Sequence, residues 1–123
     1  MIRNVLLVGL GGGIGSIARY LFQRWMYVLY PSHFPWGTFA VNIIGCFAIG
    51  LFWGLHFKSF TDNENWKLFL MVGLCGGFTT FSAFTLEGIG LLKEQRIILF
   101  FAYITASVIL GLLATWAGML LTK

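Results

Sequence analysis

Charge is scarce in this chain: four Asp and Glu and eight Lys and Arg are spread over 123 residues. Charged residues make up 10% of the sequence, against about 25% in an ordinary soluble domain. A water-soluble surface cannot be built from so few. Residues 4–18, 25–57, 68–86 and 97–122 contain no charge at all. Cysteine is rarer still, with two residues. Cys46 and Cys75 both fall inside apolar stretches, without metal-ligand spacing or a disulfide framework. They read as small buried hydrophobes and leave the redox compartment open. Histidine occurs twice, His33 in a loop and His56 at a helix end, and no acid or nucleophile is spaced to work with either. Enzyme chemistry has little to build on. The basic excess gives a net charge of +4 and a pI near 9.4. Its members lie near segment ends, where basic side chains snorkel to headgroups. No basic cluster exists for binding a nucleic-acid backbone, so nucleic acid is not an expected partner.

What is present is apolar: 59% of residues are hydrophobic and the mean hydropathy is +0.87. A helix rising 1.5 Å per residue needs roughly 20 apolar residues to cross about 30 Å of hydrocarbon. Four such spans fit, over about 4–27, 36–57, 66–92 and 97–121, leaving only short loops. The expected fold is an all-α integral membrane protein, a single four-helix transmembrane domain over residues 1–123. The basic start and short apolar run of the first span lack a small-x-small cleavage site, so it is expected to be retained. Pro31 and Pro35, the only prolines, end one helix and start another. Trp25, Tyr27, Tyr30 and Trp36 cluster there as an interfacial aromatic belt. Residues 58–65 form a polar connector with Thr61 or Asp62 as a helix cap, and residues 93–96 form a tight polar turn.

The third span is the odd one. Its middle reads Gly73-Leu74-Cys75-Gly76-Gly77-Phe78-Thr79-Thr80-Phe81-Ser82-Ala83-Phe84-Thr85. Paired glycines followed by β-branched residues are poor helix material, so the third helix is expected to be broken. A break at membrane depth frees backbone carbonyls, which is tolerated only where protein, water or an ion satisfies them. Interrupted spans point to ion or substrate sites.

Four spans put Arg3, Lys58, Lys67 and Lys123 on one side and Arg19, Arg24, Lys93 and Arg96 on the other. Four against four gives the positive-inside rule no preference. Both orientations are then expected, paired as an antiparallel homodimer. If Arg19 lies within the helix it does not count, and a mild bias remains. Small residues four apart, at Gly9 and Gly13, Gly50 and Gly54, and Gly73 and Gly77, allow close helix approach. Four short helices can hardly enclose a polar pathway alone, which again favours an oligomer.

Gly11-Gly12-Gly13-Ile14-Gly15-Ser16 mimics a dinucleotide fingerprint, but Ser16 replaces the last glycine and no acid follows about 20 residues later. Helix packing explains it better. Uncharged donors inside the spans are the remaining chemistry. Thr38 and Asn42 share a face of the second helix, continued by Gly45 and Cys46. An amide in hydrocarbon needs a partner. Asn42 therefore faces water or knits helices together. Tyr103, Ser107, Gly111 and Thr115 follow at four-residue intervals on the fourth helix. Such a stripe of donors can replace the water of a dehydrating anion, or can equally hold helices together. Thr79, Thr80, Ser82 and Thr85 interleave with Phe78, Phe81 and Phe84. Aromatic rings have a positive edge that can face a small anion, although packing phenylalanines are ordinary in a chain with 13 of them. Glu87 is the one acid within a span, and embedded acids are functional candidates; near a helix end it can also line a solvated vestibule.

Three blocks resemble the Fluc/CrcB fluoride channel family. They are Gly12-Gly13-Ile14-Gly15-Ser16-Ile17-Ala18-Arg19-Tyr20, Trp36-Gly37-Thr38-Phe39-Ala40-Val41-Asn42-Ile43-Ile44-Gly45, and the Gly73 to Phe84 string. The similarity extends over essentially the whole chain. It implies a fluoride-selective channel in the inner (plasma) membrane, a dual-topology homodimer with two antiparallel pores. It also implies a structural sodium ion on the two-fold axis, held by the backbone carbonyls of Gly76 and Thr79. Carried over residue by residue, the pore phenylalanines fall on Phe81 and Phe84 and the pore asparagine on Asn42. Thr38, Thr80, Ser82, Tyr103, Ser107 and Thr115 fall to the fluoride path, and Glu87 and Arg19 to the vestibule. Ala83 and Gly111 stand where other members carry hydroxyls, which puts details of the path in question. The main alternative is a small multidrug-resistance-type cation transporter, also with four helices. Transporters of that kind carry a glutamate deep in the first helix, and this first helix has no acid. A noncatalytic membrane scaffold is a further alternative that leaves the third span unexplained.

Overall fold

Long uncharged runs become long helices. The computed structural model describes residues 1–32, 34–55, 65 and 67–122, with only the backbone of Leu55. Helix α1 covers Ile2–Leu29 and α2 covers Trp36–Leu55. The third span opens with a wide, π-wound segment, π1 (Lys67–Cys75), followed by one α turn, α3 (Gly76–Phe78). Thr79 (φ −87°, ψ 160°) and Thr80 (φ −151°, ψ 121°) are extended, and α4 (Phe81–Lys93) then resumes. Helix α5 (Ile97–Leu121) follows. Among the described residues, four helical stretches are long and apolar enough to cross a membrane: Ile2–Leu29, Trp36–Gly54, Lys67–Lys93 and Ile97–Leu121. The protein is a multi-pass membrane protein.

Surface composition agrees. Among the described residues, Val41, Cys75, Leu91 and Tyr103 are the buried hydrophobic side chains, whereas Phe81, Leu86 and Ile98 are each at least three-quarters exposed. An apolar exterior of this extent suits lipid or another protein surface rather than water.

The connections follow local chemistry. Pro35 lacks an N–H, and its carbonyl accepts the first bond of α2 from Phe39 N at 3.0 Å. At the α4–α5 turn Gln95 takes φ 61°. Its N–H donates to Leu92 O at 3.0 Å, and Arg96 N donates to Leu91 O at 2.9 Å. This pair of bonds is a Schellman motif, with glutamine where glycine is usual. The expected caps Thr61 and Asp62, the connector 58–64, His33, His56, Lys58 and Lys123 lie outside the described residues.

Without a hydrophobic force between helices in lipid, close backbone packing is the main cohesive term. Helix α1 lies against π1 and α3, and α2 against α5. A Cβ on Gly11 would overlap Phe69 O, and one on Gly15 would overlap Leu74 O. Gly73 and Gly77 meet Gly11 and Gly12 from the other side. Gly50 meets Thr115 O, and Gly118 meets Phe47 O. The first helix therefore packs through Gly11 and Gly15. Gly9 and Gly13, equally spaced, face open space. Spacing alone cannot choose between two such registers.

Arg19 lies well inside α1 and donates from Nε to Gly77 O at 3.2 Å. It is not a loop charge, so the basic residues flanking the spans number four against three, which is a mild bias.

Candidate functional site: a donor-lined groove

The extended pair Thr79–Thr80 is held by α2. Asn42 Nδ2 donates to Thr80 O at 3.1 Å, and Thr80 N donates to Asn42 Oδ1 at 2.8 Å. One amide thus pairs the Thr80 N–H, which has no partner in a preceding α turn, and also reaches the Thr80 carbonyl. One turn along, Gly45 has no side chain to collide with the Thr79 methyl. Thr79 Oγ1 and Thr79 N both donate to Cys75 O at 3.0 Å, closing α3. Thr80 Oγ1 accepts from Ala83 N at 3.2 Å and caps α4. β-Branched threonines suit extended backbone, and the caps fix where helix stops and restarts.

Around this point lies an open groove of about 370 Å³. Asn42, Thr79, Thr80, Phe81, Phe84 and Ser107 contribute to its wall, along with Cys46, Cys75 and Gly76. Helix α4 begins at the groove, so its positive end is directed there and favours an anion. The rings of Phe81 and Phe84 are 5.9 Å apart. Phe84 also lies 5.1 Å from the ring of Tyr103, which Phe34 meets edge-on at 5.3 Å.

Tyr103 is fully buried, and its Oη has no hydrogen-bond partner among the described residues. The same holds for Oγ of Ser107, one turn further along α5. Buried hydroxyls without partners are costly, about 1–3 kcal/mol each by mutational measures. Such groups are suited to donate to an acceptor that enters the site.

A second cavity, of about 350 Å³, lies at the end of the bundle. Gln23, Thr38, Glu87 and Glu94 contribute polar groups to it, and Tyr27, Tyr30 and Trp36 contribute aromatic ones. Thr38 is buried. Its Oγ1 donates to Glu87 Oε1 at 2.5 Å and accepts from Gln23 Nε2 at 2.8 Å.

A family profile described as CrcB-like protein, Camphor Resistance (CrcB) matches residues 6–119. The chain belongs to the CrcB family. A protein of Flavobacterium psychrophilum named "Fluoride-specific ion channel FluC" is 46% identical over 121 residues, covering 98% of each chain. One of the same name from Phocaeicola vulgatus is 46% identical over 121 residues, 98% of this chain and 99% of its own. Another from Azobacteroides pseudotrichonymphae is 41% identical over 123 residues, 100% of this chain and 98% of its own.

In this CrcB chain the groove brings together Asn42, Thr80, Phe81, Phe84 and Ser107, with the carbonyl-bearing Gly76 and Thr79. Thr38 and Glu87 meet at the second cavity. Ser82 is exposed on α4, and its carbonyl accepts from Thr85 Oγ1 at 3.0 Å. Thr115 Oγ1 donates to Cys46 O at 3.1 Å and so ties α5 to α2. Gly111 packs toward Cys46 Sγ. Gln23, which is not among the expected site residues, joins Arg19 to Thr38. Its one available signal was a position four residues after Arg19, on the same face of α1.

Proposed function

We propose that this chain is a fluoride-selective channel that exports cytoplasmic fluoride by passive electrodiffusion, as the name of its relatives describes them. The observation that carries the reading is the buried hydroxyl of Ser107, which lines the groove without a hydrogen-bond partner among the described residues, with a second such hydroxyl on Tyr103 one turn away on α5. Fluoride is small, strongly hydrated and a strong hydrogen-bond acceptor. Removing its water requires donors already in place, because forming them during passage would add their ordering cost to the barrier. Tyr103 and Ser107 supply O–H groups, and the positive end of α4 adds favourable potential. Phe81 and Phe84 can present positive ring edges without a fixed charge that would trap the ion. Thr80, Ser82 and Thr115 extend the polar track, while Asn42 holds Thr80 in place. Arg19, Thr38 and Glu87 belong to the vestibule.

The working form is an antiparallel dual-topology homodimer in the inner (plasma) membrane. Its third helix is broken at Thr79–Thr80, and two pores run in opposite directions. The exposed groove wall, with Phe81 more than three-quarters exposed, supports a second copy as its cover. A mild charge bias is compatible with insertion both ways. Sodium fits the same point. Gly76 is exposed, a Cβ there would meet no more than Met71 O at 4.0 Å, and Thr79 follows in extended backbone. Their carbonyl oxygens suit a hard cation. Two carbonyls from one chain are an incomplete set that a two-fold axis would double. Gly76 and Thr79 would hold the ion, which supplies a fixed positive charge offsetting the repulsion of passing anions.

Efflux from liposomes, followed with fluoride and chloride electrodes and valinomycin to dissipate the potential, tests the function. Rapid fluoride loss with negligible chloride loss is expected. No fluoride loss from well-reconstituted protein would end the channel reading and direct attention to transport of organic cations. A cleavable tag at the carboxyl end, half protected in sealed vesicles, would report both orientations; full protection or full cleavage would contradict them.

A further inference from the structure

Donors and acceptors are ordered in one direction along a chain of side chains from the third span to Glu87. Arg19 Nε donates to Gly77 O at 3.2 Å, and Arg19 Nη1 lies 3.5 Å from Gln23 Oε1. A guanidinium has five donors and no acceptor. Gln23 must therefore turn its oxygen to Arg19, because the opposite amide orientation would set N–H groups against N–H groups. That leaves Gln23 Nε2 to donate to Thr38 Oγ1 at 2.8 Å. Thr38 has a single hydroxyl proton. With its oxygen receiving Gln23, that proton is free to go to Glu87 Oε1. Gly37 on α2 makes the seat: a Cβ there would stand 3.2 Å from Gln23 Cα and 3.3 Å from Cγ.

We infer that Gln23 is a positioning residue: oriented by Arg19, it commits the Thr38 hydroxyl proton to Glu87 and so holds the Glu87 carboxylate inward at the vestibule. Thr38 then serves the anion only through Glu87, and its hydroxyl is not itself a donor to fluoride. The functional half of this inference rests on the fluoride-channel reading. The hydrogen-bond half does not.

Two substitutions separate the parts. Gln23→Glu keeps the shape but puts a second acceptor on Thr38, so the Glu87 carboxylate and the introduced one compete for one proton. Gln23→Met keeps the length and removes both polar groups. The first readout is the Glu87 carboxylate stretch by infrared difference spectroscopy on the purified protein in liposomes, identified by its loss in Glu87→Gln. Gln23→Glu is expected to shift that band. Gln23→Met is expected to shift it less, and restoring glutamine returns it. The second readout is fluoride efflux. Gln23→Glu is expected to slow it about tenfold, the loss of one hydrogen bond to a charged group. In a Thr38→Val background the Gln23 substitutions are expected to add nothing, since their effect passes through Thr38. A purely structural role would instead lower stability and give additive losses. An unchanged Glu87 band overturns the inference, and so do additive efflux losses. Wild-type protein that passes no fluoride counts against the channel reading alone, and the infrared band then decides the inference.

Discussion

Replacing Asn42 with leucine removes two hydrogen bonds at one stroke. Both connect the amide to Thr80, at 3.1 Å from Nδ2 to the carbonyl and at 2.8 Å from the N–H to Oδ1. Leucine is close in volume, so little cavity follows, and the loss is chiefly polar. Each backbone group left unpaired in apolar surroundings costs about 1–3 kcal/mol. Interhelical bonds inside membrane proteins measure lower, about 0.6 kcal/mol on average and about 1.7 at most. Taking the upper membrane figure for both bonds gives about 3 kcal/mol. Asn42→Asp should cost about as much, because it keeps the acceptor for Thr80 N but sets a carboxylate against Thr80 O. Reversible unfolding by dodecyl sulfate in mixed micelles, followed by the fluorescence of the five tryptophans, measures this at fixed protein concentration. Asn42→Leu within about 0.5 kcal/mol of wild type, the spread of an ordinary surface substitution, would refute the clamp.

Other outcomes follow from the same geometry. Ser107→Ala should raise stability slightly, by about 1 kcal/mol, because it deletes an unpartnered buried hydroxyl. It should also slow fluoride efflux at least several-fold, and a fall in both quantities would mean that the hydroxyl is structural. Thr115→Val should do the reverse, losing about 1 kcal/mol with the bond to Cys46 O while changing efflux less than Ser107→Ala. Gly15→Val should prevent stable folding, since its Cβ would overlap the Leu74 carbonyl. Gly13→Ala should leave the monodisperse yield after detergent extraction unchanged, and equal yields for both variants would contradict the register of α1.

The four spans were legible because charge stops and resumes at their ends, a one-dimensional signal that folding does not rearrange. Both prolines marked the first loop for the same reason. Asn42, Phe81, Phe84 and Ser107 stood out as polar or aromatic side chains at helical spacing, and the structure sets them around one groove. What the sequence could not convey were choices between equivalent spacings and partners distant in the chain. Gly9 and Gly13 match Gly11 and Gly15 in spacing, and only the partner backbone distinguishes them. The hydroxyls of Ser107 and Thr115 look alike on α5, yet one has no partner among the described residues and the other bonds to Cys46 O. Gln23 gained its role from Gly37 and Thr38 on the next helix. Gln95 adopts a left-handed conformation that its residue type does not announce.

Selective passage of fluoride by this protein is the central claim, and a reversal potential tests it most directly. Purified protein is fused into a planar bilayer, with sodium fluoride at a tenfold gradient and sodium chloride making up equal ionic strength on the dilute side. A fluoride-selective pathway predicts a reversal potential near the fluoride Nernst value, about 59 mV for one charge and a tenfold gradient. A reversal potential set by chloride or sodium, or the absence of current from protein that is folded and inserted, would contradict the account.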